Sequence, residues 1–216
     1  MSSSAAGRPS QGSRSRGSVG CLIFLVGALV VAGGLGYAGW TWITKPRPSQ
    51  ESLEDHPGDI CGTPRRYFPD QPAYDGSGPH PVVVVLENPE SHGKFRWRKQ
   101  LLMPSNPTQR MPAYLNPRDD STVQLVACLS RTEEGRQVKT CDFSGKTNVP
   151  MYEASYEATV YEARTGKEVG TATIPQAVDA GCPAAVLYRE GDEPKVYTKP
   201  SFTQVRDALA EFTGAG

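Results

Sequence analysis

The chain has 216 residues, with 23 Lys+Arg against 23 Asp+Glu, so its formal charge is zero. That balance disfavours a globally basic nucleic-acid binder. A mean hydropathy of −0.45 excludes a polytopic membrane protein. The 22 Gly and 19 Pro are more than a helical bundle uses.

Residues 1–18 are small and polar, with Arg8, Arg14 and Arg16 as the only charges. Such a segment cannot bury enough apolar surface to offset chain entropy, so the expectation is a disordered tail. Gly17 to Thr44 contains no charged residue. Cys21 to Ile43, as a helix, would extend about 34 Å, enough to cross a hydrocarbon core of about 30 Å. Residues 19–43 are therefore expected to form one transmembrane helix in the lipid bilayer. Tyr37, Trp40 and Trp42 lie at one end of it, as an interfacial aromatic belt would. Three arginines and no acid precede the span, whereas Lys45 and Arg47 after it are followed by Glu51, Glu54 and Asp55. The positive-inside rule puts the N-terminus in the cytoplasm and the C-terminal domain outside. A cleaved signal peptide ending near Gly36-Tyr37-Ala38 is the rival reading. Ala28, Ala32 and Gly36 recur at four-residue spacing, a small-residue face on which two copies of the helix could pair.

Residues 44–77 are rich in Pro, Gly and acid and show no helical or strand period. They read as a stalk that merges into an irregular domain entry. Residues 78–216 then read as the external domain.

Four cysteines, Cys61, Cys128, Cys141 and Cys182, lie beyond the span. An even number in an exported domain favours two disulfides. Val123–Ser130 and Gln137–Ser144 look like two strands. Placing Cys128 opposite Cys141 leaves Glu134-Gly135 as a two-residue turn, the length a tight hairpin prefers. Opposed residues on antiparallel strands are close enough to bridge. The expectation is Cys128–Cys141, with Cys61–Cys182 by elimination. No C-x2-C spacing supports zinc.

Further along, Pro81–Leu86 is apolar throughout, as in a strand buried on both faces. Lys94–Leu102 alternates, with Phe95, Trp97 and Lys99 opposite Arg96, Arg98 and Gln100. Tyr152–Ala163 also alternates, Arg164-Thr165-Gly166-Lys167 reads as a turn, and Glu168–Ile174 can return beside it. Ala184–Arg189 and Lys195–Thr198 read as a further pair. At the C-terminus Ser201 and Gln204 form a capping-box pattern, and Phe202, Val205, Leu209 and Phe212 make a helical stripe ending at Gly214. The expected fold is mainly β (α+β): an antiparallel sheet or sandwich with one C-terminal amphipathic helix, preceded by the transmembrane helix.

Chemistry-bearing motifs are sparse. His80, His92 and Glu87 could be grouped as metal ligands, but their spacing does not favour it, and no metal, cofactor or catalytic residue is expected. No hydrolase or phosphate-cradling motif occurs. Arg96-Trp97-Arg98-Lys99 is the most basic and aromatic stretch outside the membrane and could bind an anionic envelope polymer. The simpler reading makes Trp97 a core residue and the arginines an exposed face.

The segments Ala-Cys-Leu-Ser-Arg at 127–131, Thr-Cys-Asp-Phe at 140–143 and Tyr-Glu-Ala-Arg-Thr-Gly-Lys-Glu-Val at 161–169, with Cys182-Pro183 and the terminal helix, carry a resemblance. Over about Thr122–Gly214 the chain resembles single-pass membrane proteins of high-GC Gram-positive bacteria. The resemblance implies an exported envelope location and carries over no functional residue. The expected function is a membrane-anchored extracytoplasmic binding or scaffolding protein with a protein or envelope-polymer partner. A transmembrane ligand sensor acting through a cytoplasmic partner, or an envelope hydrolase, are the alternatives.

Overall fold

β-Branched and aromatic residues supply most of the strands, and the longest valine run forms an inner strand of the sheet. The computed structural model describes residues 45–75, 78–89, 96–100, 102–104, 108–186 and 193–214, with only the backbone of residues 146 and 147. The basic tail, the apolar span with Ala28, Ala32 and Gly36, and His92 lie outside the described residues. Among the described residues no helix is long and apolar enough to cross a membrane.

Lys45–Gly216 form one compact unit. Its strands are β1 (Arg47–Pro48), β2 (Arg66–Tyr67), β3 (Val82–Glu87), β4 (Trp97–Lys99), β5 (Leu125–Phe143), β6 (Lys146–Glu162), β7 (Glu168–Ile174) and β8 (Val196–Tyr197). Two short helices follow, α1 (Phe202–Ala208) and α2 (Ala210–Thr213). The main sheet runs β4-β3-β5-β6-β7, and β8 pairs with one end of β6. It is mixed, not antiparallel as expected: β3 lies parallel to β5, and β6 parallel to β8. The β3–β5 pairing joins residues about forty apart in sequence, so no local turn signal could announce its direction.

The sheet is covered on both faces. On one face Val82, Val84, Leu125, Ala127, Leu129, Ala158 and Val160 pack under Phe202, Val205, Leu209 and Phe212. Burying each of those large side chains contributes roughly 1.5–3 kcal/mol. On the other face Val83, Val85, Val126 and Cys128 pack under Leu53, Ile60 and Phe68. The expected double burial of the valine run is thereby borne out. The stretch expected as stalk and irregular entry supplies this second covering layer through Leu53, Ile60 and Phe68, whereas Tyr74 packs on the first face. Arg65 fixes the stretch in place: its Nη2 donates to Tyr161 Oη at 2.9 Å, and its guanidinium lies 3.9 Å from the Tyr161 ring centre.

The C-terminal capping box is present. Ser201 Oγ accepts from Gln204 N–H, and the Gln204 side chain accepts from Ser201 N–H. Leu209 divides the helical stretch into α1 and α2, and Gly214 closes it at φ 63°, a left-handed conformation glycine adopts without cost. The 164–167 turn is also present, returning β6 into antiparallel β7.

Two linked expectations are corrected. Val123–Ser130 and Gln137–Ser144 are not two strands around a turn. They belong to the single 19-residue strand β5, and the reversal comes at Ser144-Gly145, where Gly145 has φ 83°. Gly135 is needed for another reason: a Cβ there would stand 2.9 Å from Glu153 Cβ on β6. It marks a bulge where two backbones approach closely. With no turn between them, Cys128 and Cys141 sit far apart along one strand. The disulfides are Cys61–Cys128 and Cys141–Cys182, not Cys128–Cys141 and Cys61–Cys182. The first ties the entry layer to the sheet. The second ties the 182 segment to the far end of the β5–β6 hairpin, beside Val149, Met151 and Val196. Ala184–Val186 are also not a strand, residues 187–192 lie outside the described residues, and β8 pairs with β6 instead.

Candidate functional site

A groove of about 1150 Å³ lies between the entry layer and edge strand β4. Its β4 wall is Arg96, Trp97, Arg98 and Lys99, the stretch singled out in the sequence. The opposite wall carries Glu51, Glu54, Asp55 and Asp59, with Arg66 and Cys61 also lining the space. Cys61–Cys128 holds this wall to the sheet.

Local structure explains each wall. Residues 57–61 form a short 3-10 turn with Pro57 at its start, which buries Ile60 and leaves Asp59 lining the groove. Gly58 passes so close to β4 that a Cβ would stand 2.4 Å from Trp97 Cβ. Trp97 is half-buried and packs against the entry-layer core, so its ring serves chiefly to hold the two walls together.

The groove's charge differs from what the sequence suggested. Arg96 Nε and Nη2 lie 2.7 and 2.6 Å from Glu87 Oε1. Lys99 Nζ lies 2.8 and 3.0 Å from the two Asp120 carboxylate oxygens. Two of the β4 cations are thus neutralised by acids outside the groove. Glu54 and Asp59 enter no ion pair among the described residues, and Asp55 only accepts from Ser52 Oγ at 2.8 Å. The surplus charge of the walls is therefore negative, which weakens the polyanion reading of Arg96, Trp97, Arg98 and Lys99.

The backbone of β4 adds a second feature. Asn88 N–H donates to Arg96 C=O at 2.6 Å, and Gln100 N–H donates to Val84 C=O at 2.8 Å. Arg96, Arg98 and Gln100 thus turn their main-chain groups toward β3. By the alternation of an antiparallel strand, those of Trp97 and Lys99 face away from it. They find no hydrogen-bond partner among the described residues.

Of the His80, His92 and Glu87 grouping, only His80 and Glu87 lie among the described residues, and each has another partner. His80 is buried, with Nδ1 2.6 Å from Gln124 Oε1 and its ring edge-on to Tyr74. Glu87 is engaged by Arg96. Among the described residues no three His, Cys, Asp or Glu side chains are grouped to hold a metal ion.

A separate polar cluster lies on the β5–β6 hairpin. Glu134 accepts from Tyr197 Oη at 2.8 Å and from Lys195 Nζ at 3.1 Å, while the Arg131 guanidinium lies 3.4 Å above the Tyr197 ring. The Tyr197 hydroxyl, and then Lys195, hold the Glu134 carboxyl below the usual glutamate range. Each Glu134 carboxylate oxygen is matched by a donor. The cluster braces the hairpin against β8.

Comparison with protein-family models, curated proteins and solved structures yields no match. The two disulfides point to an oxidising, extracellular-type environment for this domain. Sequence patterning found the β4 wall by its composition. It missed the acidic wall, because Glu51–Asp59 belongs to a stretch with no period and becomes a surface only once Ile60 and Cys61 dock on the sheet.

Proposed function

We propose that this chain is a membrane-anchored, extracytoplasmic binding or scaffolding protein of the cell envelope. Residues 19–43 anchor it, the N-terminal tail is cytoplasmic, and the disulfide-stapled domain presents its groove outside. The observation that carries this reading is the groove itself: a concavity rimmed by charges of both signs, held open by a disulfide and a glycine contact, with no acid–base or nucleophile constellation in it. Such a surface recognises a partner without transforming it.

The test is cross-linking in intact cells with a C-terminal tag, comparing the wild-type chain with a Glu54→Lys/Arg98→Glu variant. A specific extracytoplasmic partner, lost from the variant, is the expected result. A partner profile identical in the two chains would contradict the assignment to this groove.

A further inference from the structure

We infer that the groove binds an extended, basic segment of a partner protein as an added strand along the free edge of β4. This deepens the reading of the groove as a binding site and rests on it.

Three independent features converge. First, β4 is the terminal strand of the main sheet, and the main-chain groups of Trp97 and Lys99 face away from β3 and find no backbone partner among the described residues. An edge of this kind accepts a further strand, whose backbone supplies the missing hydrogen bonds. Second, the edge is not open to arbitrary pairing, because it forms one wall of a groove of about 1150 Å³. Gly58 packs against Trp97, and a side chain at that position would begin 3.0 Å from the Trp97 carbonyl oxygen and crowd it. Third, the facing wall supplies selection. Glu54, Asp55 and Asp59 face the space, while Arg96 and Lys99 are neutralised by Glu87 and Asp120. An incoming strand alternates its side chains, so basic residues on one of its faces would meet the carboxylates. Its backbone would meanwhile pair with β4.

A free edge alone would accept any extended segment, and an acidic rim alone would attract any cation. Together they require both a pairing backbone and positive side chains. Three fluorescent peptides separate these contributions. Acetyl-Lys-Val-Lys-Val-Lys-amide carries both properties. The Glu-for-Lys counterpart keeps the backbone and reverses the charge. A version N-methylated at alternate amides keeps the charge and loses the pairing.

Binding is measured by anisotropy on the full chain in lipid nanodiscs. The lysine peptide is expected to bind, and each of the other two to bind at least about tenfold more weakly. Raising the salt from about 0.1 to 0.5 M should weaken the lysine peptide, since exposed charges are screened. Glu54→Gln/Asp59→Asn should weaken it several-fold, with unchanged electrophoretic mobility under non-reducing conditions showing that the fold is kept. Equal binding of the N-methylated peptide would overturn strand addition. Equal or tighter binding of the glutamate peptide would overturn the charge assignment. Failure of all three peptides, with a cellular partner still lost from the groove variant, would remove this inference and leave the groove as the binding site.

Discussion

Leu125–Leu129 and Thr132–Thr140 belong to the same strand, β5, yet the first stretch is buried on both faces and the second is exposed throughout. The difference lies in the neighbours. The buried stretch has β3 and β6 beside it and a covering layer above and below. Among the described residues the exposed stretch pairs only with β6, across a register that shifts repeatedly between Arg131 and Phe143. Charged residues and bulges along an edge oppose unwanted strand pairing. The two-residue hydrogen-bonding edge of β4 is instead enclosed in a groove. One sheet thus has one edge defended and another sheltered.

Each disulfide closes a long loop, with sequence separations of 67 and 41 residues. Loop length enters only as a logarithm, so the chain-entropy model gives about 4 kcal/mol for either. Paired alanine substitutions should therefore cost similar global stability by denaturant titration. Hydrogen exchange should separate them: loss of Cys141–Cys182 should speed exchange in Thr132–Thr140 while Val82–Val85 stay protected. Loss of Cys61–Cys128 should loosen the entry layer. Exchange patterns that do not differ would undo the division between the two halves of β5.

Next in size, Leu129→Ala in the buried stretch should cost about 2–5 kcal/mol. Val138→Ala in the exposed stretch should stay within about 0.5 kcal/mol. Equal costs would show that the hairpin end is packed against something in solution. Gly58→Ala should cost roughly 1–3 kcal/mol through overpacking against Trp97, and it should also weaken any ligand of the β4 edge.

The smallest effect concerns pH. Glu134 has its carboxyl held below the ordinary glutamate range by Tyr197 and Lys195. A depressed carboxylate contributes stability above its unfolded value and loses that contribution as pH falls through the folded value. The brace should therefore be intact at neutral pH and released only below the normal glutamate range. Carboxyl NMR titration should give a low midpoint for Glu134, moving back toward the ordinary range in Tyr197→Phe. An unchanged midpoint in that variant would contradict the assigned cause.

The elements legible in the sequence were those whose cause is local. The valine run at 82–85, the alternation from Tyr152 to Val160, the turn at 164–167 and the capping box at Ser201 and Gln204 all appear where the pattern put them. The misreading at Glu134-Gly135 shows the limit of local reasoning. A glycine that relieves a close approach to Glu153 looks, in one dimension, like a glycine that makes a turn. The disulfide pairing depended on that turn and failed with it. The parallel β3–β5 pairing and the docking of residues 45–75 join segments far apart in sequence. For the same reason only one wall of the groove could be foreseen. Arg96, Trp97, Arg98 and Lys99 stand out by composition, whereas the acids that face or neutralise them come from positions 51–59, 87 and 120.

The most direct test of the groove places a photo-cross-linking residue at Arg98, on the groove wall, or at Lys139, on the exposed half of β5, in the full chain in intact cells. The account predicts that an extracytoplasmic partner is captured from position 98 and not from position 139. Capture from position 139 alone, or the same capture from both, would contradict it.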